Sequence, residues 1–251
     1  MSGLLDGKVV VVTAAAGTGI GSAVARRCLE EGASVVISDR HERRLGETGE
    51  ALAATHPGRV HAVVCDVTVE NQVQALIDGA VVHCGRIDVM VNNAGLGGES
   101  SIVDMTDEDW ARVLDVTLNG TFRCTRAALR TMVEQGGGGA VVNNASVIGW
   151  RAQAGQAHYA AAKAGVMALT RCAAMDVAAH GIRVNAVAPS LAMHPFLAKV
   201  TSEELLIELA GRSALGRAAE PSEVANVMVF LASDLASYLT GEVISVSSQH
   251  P

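Results

Sequence analysis

The chain has 251 residues, 49% of them hydrophobic, 18% charged and 3% aromatic, with a formal net charge of −7. Such a high apolar and low charged content excludes a disordered chain. The acidic balance excludes a nucleic-acid binder built on a basic footprint, and seven aromatic residues are too few for a base-stacking platform. A chain this long buries roughly 70–75% of its unfolded surface and needs neither disulfides nor a metal to hold a core.

The predicted elements alternate from the start. Val9-Val10-Val11-Val12 is the first strand and Ile20–Glu31 the first helix. Strands follow at Ser34–Ile37, Val60–Val64, Ile87–Val91, Ala140–Val142, Ile182–Val187 and Val243–Val246. Each is a near-continuous β-branched run, the pattern of strands buried on both faces of a parallel sheet. Helical patterns fill the gaps, among them 69–83, 110–134 and 156–180. This strand–helix alternation predicts an α/β fold: a single domain over 1–251 with a Rossmann-type, doubly wound parallel sheet of about seven strands. The run Gly136–Gly139 reads as a turn between helix and strand. The stretch 191–219 breaks the alternation late in the sheet and is expected to form a small helical lid over the site.

No apolar run reaches a membrane span, and Met1–Asp6 lacks the regions of a signal peptide. Five dispersed Cys without a CxxC pair read as reduced thiols of a cytoplasmic protein. The eight His show no ligand spacing, so no metal is expected.

The first strand runs into Thr13-Ala14-Ala15-Ala16-Gly17-Thr18-Gly19-Ile20-Gly21. Glycines here let backbone N–H groups approach a pyrophosphate at a helix N-terminus. Ala15, Gly17, Thr18, Gly19 and Ile20 are thus candidate cofactor contacts. Asp39 ends the second strand twenty residues after Gly19, the distance for a carboxylate that accepts from an adenosine ribose. It repels a 2′-phosphate and so favours NAD over NADP, while Arg40 and Arg43 beside it would tolerate that phosphate.

With these features and three others, the sequence resembles the short-chain dehydrogenase/reductase family over essentially its whole length. The others are Asn92-Asn93-Ala94-Gly95 after the fourth strand, Tyr159-Ala160-Ala161-Ala162-Lys163 with Ser146 thirteen residues earlier, and Asn185-Ala186-Val187-Ala188-Pro189 after the sixth strand. The resemblance is to 3-oxoacyl-carrier-protein reductase-like and steroid-catabolism members. It implies an oxidoreductase that moves a hydride between NAD(H) and a secondary alcohol or ketone. It also implies cofactor contacts from Asp66, Val67, Asn93, Ala94, Gly95, Pro189, Ser190 and Ala192, a ribose contact from Lys163, and a homotetramer. Asp66 could otherwise cap the helix before Val69, a role Thr68 fills as well.

Tyr159 and Lys163 stand at i and i+4, hence on one helix face. A free phenol titrates near ~10, and a nearby ammonium is expected to lower that value. Tyr159 then exchanges the substrate proton, and Ser146 hydrogen-bonds the substrate oxygen. Three departures stand out. One Ala, Ala14 or Ala15, replaces the first glycine of the turn. Thr117 stands at the position of the family's catalytic Asn, with Asn119 two residues on and about 200° round the helix; an altered proton relay is expected. Ser190 follows the proline, and His194 either contacts the ligands or faces solvent.

Trp150, Gln153, Met193 and Phe196 are candidate substrate contacts. The pocket is apolar and suits a bulky steroid-derived ketone or an acyl thioester. Two alternatives remain: an NADPH-dependent 3-oxoacyl-carrier-protein reductase, or a dinucleotide-binding regulator without catalysis.

Overall fold

The structure is a computed structural model that describes residues 3–193, 206, 210–211 and 213–248. Seven strands form one sheet: β1 (Val9–Val12), β2 (Ser34–Asp39), β3 (Val60–Val64), β4 (Val89–Asn92), β5 (Gly139–Asn144), β6 (Ile182–Pro189) and β7 (Val243–Val246). Their order is β3-β2-β1-β4-β5-β6-β7, with every pairing parallel.

The unbroken Val runs follow from two covered faces. Val10 and Val12 of β1 point into a core with Val24, Ala25 and Leu29 of α1 (Ile20–Glu30), Leu45 and Leu52 of α2 (Glu42–Thr55), and Val224 and Met228. Val11 points the other way, onto Val73, Leu76 and Ile77 of α3 (Glu70–Cys84) and a run of later helical residues. Successive side chains of a strand alternate faces, so a strand between two helical layers must be apolar at every position.

The predicted helix 110–134 is longer and broken. It comprises α4 (Asp107–Leu114), a π turn over Asp115–Asn119, and α5 (Gly120–Gln135). Thr106 caps its start by accepting from Asp109 N at 3.1 Å. In the π turn the Gly120 amide reaches back to the Asp115 carbonyl, five residues away. Next come α6 (Ala157–Val177) and α7 (Pro221–Ala232). Pro221 stands in the first turn of α7, and Glu220 and Glu223 cap it reciprocally, which suits a residue with no N–H to leave unsatisfied.

Gly136–Gly138 form the turn between α5 and β5, and Gly139 is the first residue of β5. A Cβ on Gly138 would lie 2.7 Å from the Gly181 carbonyl, and its φ of +78° favours glycine independently. From β1 the chain builds outward to β2 and β3, then crosses back to β4 on the other side. The strand order reverses between β1 and β4, and in open α/β sheets ligands bind outside the carboxyl ends of the strands at that point.

Candidate active site

The β1–α1 turn lies at this switch point. α1 begins after Gly19 with no side-chain cap and no acidic residue in its first turn. Open space lies where Cβ atoms of Gly17 and Gly19 would stand, and Gly17 has φ +85°. An uncapped helix N-terminus with a bare glycine approach fits a pyrophosphate. Gly21 serves packing instead: a Cβ there would lie 2.3 Å from the Ala14 carbonyl and 2.6 Å from Asn93 Nδ2.

The turn's path settles which alanine replaces glycine. Ala14 has φ +50°, the left-handed region, and no other non-glycine among the described residues has a positive φ. Ala15 is fully buried, and its N–H donates to the Ser38 carbonyl at 2.9 Å. Its amide is thus committed to the sheet and does not point at the turn's open mouth. The Gly17 amide donates to Thr48 Oγ1 of α2 at 3.0 Å. Thr18 is exposed and Ile20 partly buried at the mouth of the turn.

Asp39 closes β2, and its Oδ1 accepts from His41 N at 2.9 Å. A carboxylate retains further acceptor capacity for a diol after one such bond. Arg40 is exposed beside it. Asp66 caps neither α3 nor its own strand. Its Oδ1 accepts from the amide and the hydroxyl of Thr68, at 2.9 and 2.7 Å. Burial raises its carboxyl, but those two bonds and the charges of Arg40 and Arg123 together hold it below the usual value. The residue before α3 is Val69, with no side-chain cap, so neither Asp66 nor Thr68 takes the capping role the sequence offered them. Val67 is buried against Gly120, where a Cβ would lie 2.6 Å from its Cγ2.

Asn93 ties strand ends together. Its Nδ2 donates to the Thr13 and Ala14 carbonyls at 3.2 and 3.1 Å. Thr13 Oγ1 accepts from the amides of Asn93 and Ala94 at 2.9 and 3.0 Å. A Cβ on Gly95 would stand 3.5 Å from Lys163 Nζ and 3.8 Å from Thr117 Oγ1. Asn93 and Gly95 thus connect the glycine-rich turn to the α6 lysine.

Ser146 follows β5, and its Oγ accepts from Ile148 N at 3.3 Å. Tyr159 stands in the first turn of α6 and is hydrogen-bonded to Ser146. Lys163 Nζ lies 5.5 Å from the centre of the Tyr159 ring and donates to the Asn144 carbonyl. Burial pushes the phenol up to about 12 against the pull of the Ser146 bond, and burial brings the Lys163 ammonium down to about 8. The phenol thus stands above its usual value and not below it as expected, because desolvation disfavours its charged form; the same desolvation disfavours the ammonium. Tyr159 is therefore a protonated donor at neutral pH.

Thr117 is fully buried in the π turn. Its Oγ1 accepts from Leu96 N at 2.9 Å and donates to the Leu96 carbonyl at 3.0 Å. The hydroxyl clasps the 94–97 segment, so its single proton is spent there and not on a water. Asn119 stays outside even with the helix distorted: it is exposed, and its Nδ2 donates to Asp115 Oδ1 at 3.2 Å.

Pro189 ends β6, and Ser190 N donates to the Val246 carbonyl at 3.1 Å. Ala192 is buried in a bridge to Ala219, and Met193 N donates to the Ala219 carbonyl at 2.9 Å. Ser190, Leu215, Arg217 and Val246 help line a cavity of about 180 Å³, which brings Leu215 and residues 217–219 of the expected lid beside Ser190 at the end of β6. Trp150 and Gln153 are exposed. His194 and Phe196 lie outside the described residues, as does most of the expected lid. Sequence reasoning missed Thr13, Thr48, Asn144 and the buried His158, whose Nδ1 faces the Tyr159 amide at 2.9 Å. The signal for Thr13 and Asn144 was a polar residue closing an apolar strand.

The family model described as enoyl-(acyl carrier protein) reductase matches residues 14–248. The chain is 67% identical over 249 residues to (5R,7aS)-5-hydroxy-7a-methyl-1-oxo-2,3,5,6,7,7a-hexahydro-1H-indene-carboxyl-CoA reductase of Mycobacterium tuberculosis, covering 99% of this chain and 95% of that one. It is 40% identical to a 3-oxoacyl-acyl-carrier-protein reductase of Thermotoga maritima, over 96% of this chain and 97% of that one. A crystal structure of a short chain dehydrogenase from Mycobacterium smegmatis superposes with a TM-score of 0.89 at 60% identity, covering 99% of this chain and 95% of that one.

Proposed function

Since the chain belongs to the short-chain dehydrogenase/reductase family and is an oxidoreductase acting on hydroxyl or keto groups, we propose that it reduces, with NADH, a ketone on a bulky apolar ring system carried as an acyl thioester. The observation that carries this reading is the Ser146–Tyr159–Lys163 cluster: a protonated phenol hydrogen-bonded to a serine, beside a buried lysine. The thioester and the fused ring are supported by the named activity of the Mycobacterium tuberculosis relative. NADH is supported by Asp39, whose carboxylate suits a ribose diol and opposes a 2′-phosphate.

A bound nicotinamide dinucleotide supplies the hydride. Ser146 and Tyr159 orient the ketone oxygen by hydrogen bonds, and Tyr159 gives up its hydroxyl proton to that oxygen. Lys163, held by the Asn144 carbonyl, stabilises the phenolate left behind and contacts the nicotinamide ribose. Asp66, Val67, Asn93, Ala94 and Gly95 border the adenine and the groove, and Pro189, Ser190 and Ala192 the nicotinamide. Residues 191–193 and 213–219 belong to the lid, and Trp150, Gln153 and Met193 serve as the substrate's wall. The single domain works in the cytoplasm as a homotetramer.

The test is turnover of fused-ring ketone thioesters and simple 3-oxoacyl thioesters with NADH and with NADPH. Faster turnover of the ring ketone with NADH is expected, and Tyr159→Phe should cost about 10²–10⁴-fold. Preference for NADPH or for the simple thioester would overturn the reading. Lys163 loses its charge above about 8, so ketone reduction should fall as pH rises through that value. A rate flat to pH 10 would remove Lys163 from the mechanism.

A further inference from the structure

A continuous line of hydrogen bonds joins the two halves of the site. It starts at the Thr13 and Ala14 carbonyls of the glycine-rich turn, which accept from Asn93 Nδ2 at 3.2 and 3.1 Å. Asn93 Oδ1 in turn accepts from Asn144 Nδ2 at 3.0 Å. The Asn144 main-chain carbonyl accepts from Lys163 Nζ. The line crosses the ends of β1, β4 and β5, which are neighbours in the sheet.

The Asn144 side chain has no role in the reaction described above. Yet, among the described residues, Asn144 is the one hydrogen-bonded both to the Asn93 side chain and to Lys163. An amide offers donors on one end and an acceptor on the other. The Asn144 Nδ2 bond identifies Asn93 Oδ1 as the acceptor, which leaves Asn93 Nδ2 to face the turn. Inverting Asn93 would put its oxygen against two carbonyls. Asn144 Oδ1 is buried and has no hydrogen-bond partner among the described residues. A buried polar group kept without its full complement of bonds is costly, and calls for a reason other than packing.

We propose that Asn144 is a positioning residue that couples the pyrophosphate turn to Lys163, setting dinucleotide affinity and the protonation of the lysine together. This rests on reading the strand-end groove as the dinucleotide site. Removal of the amide frees Asn93 to invert, which moves the Ala14 carbonyl and, through it, the packing of Gly21 at the head of α1. The same loss lets the end of β5 shift under the Lys163 ammonium.

Asn144→Val keeps a strand-compatible side chain and removes the amide; Asn144→Ala serves if the valine variant does not fold. Asn143→Val is the control. Asn143 is the adjacent buried amide, bonded to Asn92 and Thr170 and not to the turn or the lysine. For each folded variant, NADH binding is measured by fluorescence titration and the pH midpoint of kcat for ketone reduction by steady-state kinetics. The Asn144 variants are expected to weaken NADH about tenfold, the effect of losing one buried hydrogen bond, and to lower the pH midpoint. The control is expected to lower Tm while leaving Kd and midpoint in place. Unchanged Kd or an unchanged midpoint in the Asn144 variants overturns the coupling, as do equal shifts in the control. Failure of the unaltered chain to bind either NADH or NADPH would instead sink the reading of the groove, and the inference with it.

Discussion

Ala14 shows how a motif and its geometry separate at a single residue. Its φ of +50° is one that a Cβ disfavours by about 1–2 kcal/mol. Ala14→Gly relieves that strain and loses part of the gain to unfolded-chain entropy. A net stabilisation of about 0.5–1 kcal/mol is expected in chemical denaturation; a less stable variant would show that the turn's strain lies elsewhere. Thr117 separates in the same way. Its alignment with the family's Asn was legible, but its task was not, because the bonds to both ends of the Leu96 peptide unit arise only when the π turn meets the β4 loop. Thr117→Val keeps the shape and leaves the partly buried Leu96 amide and carbonyl unpaired. Stability should fall by about 1–3 kcal/mol, and kcat should fall with it, since Gly97 of that loop approaches the Tyr159 ring. Intact kcat in folded T117V would confine the clasp to stability.

At the scale of elements, helical periodicity marked a helix through residues 110–134 but gave no sign of its break at 115–119. Insertion of one residue in a turn changes the backbone bonding without changing which residues are apolar. Edge strand β3 carries another feature invisible to pattern. His61 stacks on His83 of α3, ring centres 3.5 Å apart. Burial, and behind it the His83 charge, lower His61 from its usual 6.5. The folded state therefore binds fewer protons here than the unfolded chain does. The contribution is intact above pH 6.5 and is lost as pH falls from there through the lower folded value. His83→Gln should flatten the fall in Tm below about pH 6.5; an unchanged slope would exclude the pair as its source. Inside the sheet, Asn92 of β4 donates to Thr125 and Asn143, and Asn143 to Thr170, all at 2.8–2.9 Å. This polar ladder pins β4 and β5 between α5 and α6.

Across the whole molecule, the parallel sheet converts sequence distance into contact. Thr13 and Lys163 are 150 residues apart in sequence, yet three adjacent strand ends place them on one line of hydrogen bonds. Large apolar side chains remain exposed on the helices of the α5–α6 side, Phe122 and Met175 among them, with Arg126 standing 4.6 Å over the Phe122 ring. A homotetramer built on these helices would cover them, and sedimentation at micromolar concentration should find four chains. A monomer there would reject that assembly.

By itself the sequence determined the α/β alternation, the two-sided burial of the strands and the spacing of Ser146, Tyr159 and Lys163. These are matters of local period and chain order, which residue type expresses directly. Tertiary structure alone decided which alanine took the left-handed turn, that Ala15 spends its amide on the sheet, and that Asp66 binds Thr68 and caps no helix. It also decided that desolvation, and not the lysine charge, governs the Tyr159 phenol. The reason is common to all of these. Hydrogen-bond partners and solvent exclusion take effect only once the chain has folded: Ser38 of β2 is brought to the Ala15 amide, and Thr68 meets Asp66 only in the turn that follows β3.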